Sequence, residues 1–327
     1  MANLVAGIGT SHSPMLLTNP RLWLERADQD RRNRELHDLT GRHVTFDELL
    51  EQAGDRYAAQ MDPQVWEERF QTCMSSMDRL AADLTELRPD VLLIVGDDQE
   101  EVFNASNQPA MGIFWGDRWR TGTMEGAPPG EFFDSVKTGY AMDDHHEFQG
   151  APELARDVIT GLVEAEFDIA SLATTPPNTG FGHAYGFIIR RLLGERPVPV
   201  VPILLNTYYP PNQPTPSRCY DFGAAIARAV EASPVDARVV IVASGGLSHF
   251  VVDEEIDLQT LDAIRNNDEK PLRELPVERL QSGASEIRNW VAVAGAMQGR
   301  EVAWSEYAPC YRTLAGTGCG MGFLRWA

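Results

Sequence analysis

The chain has 327 residues, of which 43% are hydrophobic and 23% charged, the profile of a folded globular protein with a sizeable core. Its formal charge of −20 repels phosphate backbones and anionic membrane surfaces, which argues against nucleic acid and membrane as partners. No apolar run approaches the roughly 20 residues that span a bilayer, and the opening "MANLVAGIGTSHSP" lacks a basic n-region before a long apolar h-region, so a cytoplasmic location is expected. Four cysteines, Cys73, Cys219, Cys310 and Cys319, stand far apart with no CxxC pair, as expected of reduced core thiols.

In chain order, "NLVAGIGT" (3–10) is a short apolar run ending in small polar residues and predicts a buried strand. Residues 19–62 follow as a charged, Arg-rich, helix-prone insertion, read as a solvated excursion; within it "VTFDELLEQAG" has the apolar spacing of a docked helix. "PQVWEERFQTCMSSMDRLAADLTEL" (63–87) places Val65, Trp66, Phe70, Cys73, Met77 and Leu80 at helical spacing, with Pro89 ending the helix before a second strand at 90–96. Further strands are predicted at 198–205 and 237–244, with "ELARDVITGLVEA" and "CYDFGAAIARAVEA" as amphipathic helices. "TYYPPNQPTPSR" (207–218) has four prolines and reads as a stiff extended loop, while the glycine-rich "SGGLS" and "GTGCGMG" read as tight turns. Neither glycine run has the spacing of a nucleotide loop. No linker or composition shift divides the chain, so the expectation is one domain, 1–327: an α/β sandwich with a largely buried central sheet flanked by helices and the active site at strand ends.

"LLIVGDDQEEVF" (92–103) runs a buried strand straight into Asp97, Asp98, Gln99, Glu100 and Glu101, an abrupt polar ending that marks a rim. His12 in "GTSHSPM", His183 in "GFGHAYGF" and His249 in "GGLSHF" sit in similar settings, two of them directly after predicted strands and all flanked by Gly, Ser or Thr. Each alone is ordinary; together they suggest imidazoles gathered at one rim, where glycine lets backbone approach a ligand. Two imidazoles and a carboxylate on one face of a metal leave positions open for substrate and oxygen, and a further histidine can take a proton from a hydroxyl. Glu286 in "SGASEIRNW" can supply the carboxylate, although a glutamate in a first helical turn is equally explained by the helix dipole. His37 and His43 belong to the insertion, and His145 and His146 lie in the exposed-looking acidic stretch "MDDHHEF".

The ordered set "GIGTSHSPM", "DVLLIVGDDQEEVF", "GFGHAYGF", "VPILLNTYYPPNQPTPSRCYDFGAAIARAV", "VIVASGGLSHF" and "SGASEIRNWVAVAGAM" resembles the class III extradiol ring-cleaving dioxygenases, the family that includes the catalytic subunit of protocatechuate 4,5-dioxygenase. The resemblance runs from residue 3 to 327 apart from 19–62 and about 104–148, and its flavour is that of the gallate or 3-O-methylgallate branch. It implies a non-haem Fe(II) enzyme that opens a catechol- or gallate-type ring, methoxylated or not, with O2, and that forms a homodimer or other homo-oligomer. Residue by residue it implies His12 and Glu286 as metal ligands, His249 as the acid/base and His183 as a second catalytic histidine. It also implies Asn206, Tyr208 or Tyr209 as pocket residues.

The family's remaining histidine ligand falls on Gln99. Either Gln99 ligates through its side-chain oxygen, a harder donor than imidazole, or Asp98, Glu100, His145 or His146 takes its place. The alternatives are a non-catalytic or metal-altered member, such as a partner subunit, and a divalent-metal hydrolase using the same residues, the latter unsupported by any HExxH.

Overall fold

The computed structural model describes residues 1–327. Ten strands are laid down in the order β1 (Asn3–Thr10), β2 (Val91–Asp97), β3 (Met111–Phe114), β4 (Arg118–Arg120), β5 (Glu147–Gln149), β6 (Ala170–Leu172), β7 (Val200–Leu205), β8 (Arg238–Ser244), β9 (Val302–Tyr311) and β10 (Gly318–Trp326). The helices are α1 (Trp23–Asp30), α2 (Phe46–Ala53), α3 (Pro63–Leu87), α4 (Glu131–Gly139), α5 (Pro152–Glu164), α6 (His183–Phe187), α7 (Pro216–Ala232), α8 (Glu254–Arg265), α9 (Glu269–Arg273) and α10 (Ile287–Ala296). Eight strands form one mixed sheet in the order β6-β3-β7-β2-β8-β1-β10-β9; β4 and β5 pair separately. This is the α/β sandwich with a buried central sheet that the strand and helix patterns predict.

The alternation within each strand explains the layering. In β2, Leu93 and Val95 point into a core shared with α5, α7 and α10, whereas Leu92 and Ile94 point into a second core shared with α3 and α6. β8 divides likewise, with Val239 and Ile241 on the first face and Val240 and Val242 on the second. Strands covered on both faces must be apolar throughout, which is why these segments read as continuous Val/Ile/Leu runs.

β7, β2, β8 and β1 are mutually parallel neighbours, with Asp97 opposite Leu205 and Thr10 opposite Ser244. Their carboxyl ends therefore reach one rim together, the usual place for a ligand in an open parallel sheet. β10 runs antiparallel to β1, with Thr10 opposite Phe323, so its first residues, Gly318 and Cys319, overhang the same rim. The predicted tight turn at 316–322 is corrected here: only Gly316, at φ +79°, lies in a turn, and Gly318 onward is strand. The alternate glycines of β10 clear space for the loop after β8 and for α8, since a Cβ at Gly322 would stand 2.8 Å from Leu247 and one at Gly320 would overlap Asp257.

The 19–62 insertion is less solvated than its composition suggests. Trp23 is buried and donates its Nε1 to the Met15 carbonyl at 3.1 Å. α2, closed by a capping box between Thr45 and Glu48, packs Phe46 and Leu49 with Val251 and Ala315. Asp30, fully buried, grips Arg312 through two contacts of 2.6 and 2.9 Å. Asp30 is the buried exception in a segment whose other charged side chains are largely exposed, as the composition predicts.

A Cβ at Gly9 of β1 would fall within the ring of Trp290, so the absence of a side chain there lets α10 lie directly on the strand. Gly9→Ala is expected to lower stability by about 1–3 kcal/mol through overpacking, read as a shift of the denaturant midpoint.

Candidate metal centre

His12 follows β1, and its orientation is set by a short chain of donors. Ser244 Oγ donates its only hydrogen to the Ala184 carbonyl at 2.6 Å, so it must accept from His12 Nδ1–H at 3.0 Å. Nε2 is then the free face of the ring, 3.0 Å from Glu286 Oε2 and 3.9 Å from Asp97 Oδ1. His183, at the start of α6, repeats the arrangement: Nδ1 donates to Glu101 Oε1 at 2.7 Å, while Nε2 stands 3.7 Å from Asp97 Oδ2. His249 repeats it again, with Nδ1 donating to the Leu247 carbonyl at 2.9 Å and Nε2 3.2 Å from Glu286 Oε1. All three imidazoles are pinned at Nδ1 and present Nε2 to the same two carboxylates.

Glu286 ends a 3-10 turn (Ser282–Glu286) and caps α10 from its N-terminal side. Its Oε2 also accepts the Gly246 N–H at 2.7 Å, and Trp290 one turn later donates Nε1 to the Gly245 carbonyl at 2.9 Å, which ties the helix start to the loop after β8. Asp97 ends β2 and is fully buried. Burial pushes its carboxyl up from the usual range, and the neighbouring Glu286 charge adds to this. Burial likewise opposes ionisation of Glu286, but His249 and His12 outweigh it and hold that carboxyl well below its usual range. Burial opposes charge on His183, yet Glu101 and Asp97 raise it to about 10.

Donor atoms of His12, Asp97, His183 and Glu286 all lie within 4.8 Å of one another. Two nearly inaccessible carboxylates face imidazole lone pairs here, an arrangement that needs either protons or a cation between them. The donor set, two nitrogens and two oxygens, suits a borderline divalent ion, so the residues present fit a non-haem metal.

Gln99 does enter the centre, but with its amide nitrogen: Nε2 donates to Asp97 Oδ2 at 3.1 Å and to Glu286 Oε1 at 3.4 Å. An N–H so used offers no lone pair, and Gln99 braces the two carboxylates. Of the substitutes considered for it, Asp98 turns away to accept the Val102 and Phe103 backbone N–H groups at 2.8 and 2.9 Å. Glu100 is exposed. His145 Nδ1 donates to the Thr121 carbonyl at 2.7 Å and His146 pairs with Asp143 at 2.9 Å, so neither reaches the centre. Sequence reasoning passed over Asp97 as a donor and Glu101 as the partner of His183. The signal available was the density of polar and acidic residues at the end of β2, of which Asp97, Gln99 and Glu101 contact the cluster.

The centre forms the floor of a cavity of about 310 Å³. Met15, Met124, Met142 and Phe250 supply apolar walls; Tyr140, whose hydroxyl donates to the His12 carbonyl at 2.7 Å, and Tyr208 add polar edges; Arg26 and Arg312 stand at its side. Asn206 points elsewhere, bonding Tyr209.

The fold and site together define a protein with a histidine and carboxylate cup at the carboxyl ends of parallel strands, beneath a cavity the size of a small ring compound. Residues 57–322 match the family described as the catalytic LigB subunit of aromatic ring-opening dioxygenase, and the chain belongs to that family. It is also similar to a gallate dioxygenase of Pseudomonas putida, 30% identical over 158 residues, which are 45% of this chain and 46% of that protein. The matched part thus spans about half the length of that relative.

The Asp30–Arg312 pair joins the insertion to the cavity wall, and both partners are nearly inaccessible. Asp30→Ala should cost about 3–5 kcal/mol because it leaves a buried guanidinium uncompensated, to be measured by equilibrium unfolding.

Proposed function

We propose that this protein is a non-haem Fe(II) extradiol dioxygenase that opens a catechol- or gallate-type ring with O2. The observation that carries the reading is the convergence of three Nδ1-anchored imidazoles on Asp97 and Glu286 at the floor of a ring-sized cavity. Family membership supports the same class of chemistry. A bound ferrous ion would supply the centre at which the diol and dioxygen meet.

His12, Asp97, Glu286 and His183 would hold the metal. His183 then restores the second imidazole that Gln99 withholds, an assignment that moves it from the catalytic role its motif implies to a ligand role. His249 is the proton acceptor and donor: its Nε2 faces the floor beside Glu286, within reach of a hydroxyl bound there, and its Nδ1 is held by a carbonyl. Burial opposes charge on His249, but the Glu286 charge beside it raises its pKa well above the usual value, which favours the donor role; a cation sharing the Glu286 charge would weaken that pull and leave Nε2 free to accept a proton. The apolar walls exclude bulk water and hold the ring over the floor. Cys73, Cys219, Cys310 and Cys319 are all free and buried, which supports a reducing, cytoplasmic setting. No helix is long and apolar enough to cross a membrane.

Protein reconstituted with Fe(II) under anaerobic conditions should consume oxygen with at least one member of a panel of catechol, 3,4-dihydroxybenzoate, gallate and their methoxylated relatives. His249→Ala should retain its iron and lose about 10²–10⁴-fold in kcat; a wild-type protein inert to the whole panel would refute the reading.

Metal content separates the ligands. Asp97→Asn and His183→Ala should each abolish stoichiometric iron, whereas Gln99→Ala should bind it only about 10–100-fold more weakly, as expected of a group that orients ligands. Loss of iron in Gln99→Ala with retention in Asp97→Asn would return the ligand role to residue 99.

A further inference from the structure

His249 hangs on a backbone carbonyl, and behind that carbonyl's peptide group stands a carboxylate. Asp257, in the first turn of α8, is fully buried. Its Oδ1 accepts the Ser248 N–H at 2.7 Å, and its Oδ2 accepts the Ser248 Oγ–H at 2.7 Å and the Tyr307 O–H at 2.8 Å. Three neutral donors and the N-terminus of α8 thus offset the cost of burying this charge.

Two of those donors belong to Ser248, whose other polar groups are also taken. Its Oγ accepts the Asp253 N–H at 2.7 Å, and its carbonyl accepts the Gly320 N–H at 2.8 Å. The Gly320 carbonyl in turn accepts the Leu247 N–H at 3.2 Å, and a Cβ at Gly320 would overlap the Asp257 carboxylate.

The peptide group between Leu247 and Ser248 is therefore gripped from both sides. Its N–H donates to Asp257 Oδ1, and its C=O accepts from His249 Nδ1 at 2.9 Å. A peptide is planar and polarisable, so a carboxylate pulling on the N–H fixes the direction of the C=O and makes that oxygen a stronger acceptor. The arrangement is that of a carboxylate paired with a catalytic histidine, with one peptide group interposed. Neither Asp257 nor Tyr307 lines the cavity.

We propose that Asp257 is a positioning residue for His249, acting through the 247–248 peptide to orient the imidazole, hold its proton on Nδ1 and support the charge it carries once Nε2 is protonated; this rests on the acid/base role given to His249 above. Burial raises the Asp257 carboxyl to about 7, although the Ser248 and Tyr307 donors act against it, so the residue is ionised on the alkaline side of that value.

On that alkaline side, Fe(II)-loaded Asp257→Asn should lose about 10–100-fold in kcat with KM and iron content unchanged, the range for groups that orient a reacting residue. In the His249→Ala background the same substitution should cost less than about twofold, because the residue it acts through is gone. A second readout needs no turnover. In the metal-free full chain with isotope-labelled histidine, the Nδ1–H resonance of His249, assigned by its absence in His249→Ala, should move to higher field in Asp257→Asn. Tyr307→Phe takes one donor from the carboxylate, which then pulls harder on Ser248, so there the resonance should move to lower field. That variant carries the test alone if Asp257→Asn does not fold. A resonance unmoved, or moved the same way in both variants, or a kcat loss as large without His249 as with it, would overturn the proposal. If the wild type opens no ring, the ring-opening reading fails, and the resonance still decides whether Asp257 acts on His249.

Discussion

Three acidic side chains, Asp97 and Glu286 almost wholly out of water and Glu101 partly so, are brought within reach of three imidazoles, and much else in the structure serves to hold them there. Carboxylates in such a place repel one another and lose their hydration, a cost that neighbouring charge must offset. The protein offsets it by anchoring every imidazole from behind: on a serine, a glutamate and a backbone carbonyl. Pinning Nδ1 removes tautomeric freedom and fixes where each Nε2 points, so the cluster is organised before any ion arrives.

The sheet makes that clustering inexpensive. Four parallel strands deliver residues 12, 97, 208 and 249 to one rim from segments far apart in the chain, without any of them leaving regular structure by more than a few residues. Small residues then set the spacing. Gly9 allows Trp290 to lie on β1, and Trp290 in turn fastens the Gly245 carbonyl, so Glu286 is located by packing as much as by hydrogen bonds. The histidine and carboxylate cup therefore rests on ordinary core contacts below it.

Much of this was legible in the residues. The first strand and the long helix over 63–87 lie where apolar periodicity placed them, because both are governed by burial alone. His12, His183, His249 and Glu286 do come together, as glycine-flanked strand ends suggested. What could not be read were pairings decided across the whole fold. Asp97 and Glu101 look like one more solvated acidic run until the end of β2 and the bend after it, with Glu100 at φ +65°, turn them inward. The strand at 318–326 hides behind glycines that accommodate Leu247 in the loop after β8 and Asp257 on α8, both far earlier in the chain. Arg26 belongs to a segment that composition alone assigns to solvent, and only the cavity reveals its orientation.

The wall formed by Asp30 and Arg312 closes a loop of 282 residues, joining the insertion near one end of the chain to the last hairpin. Contacts of such separation are costly in loop entropy and tend to form after the local ones. The cavity wall is therefore complete only when the two ends of the chain have met. A nascent chain would expose its histidines and acids singly, as weak and unselective ion binders, and acquire the enclosed cup only when its first and last segments have met. The grouping of these donors is in this sense a property of the finished topology rather than of any one motif.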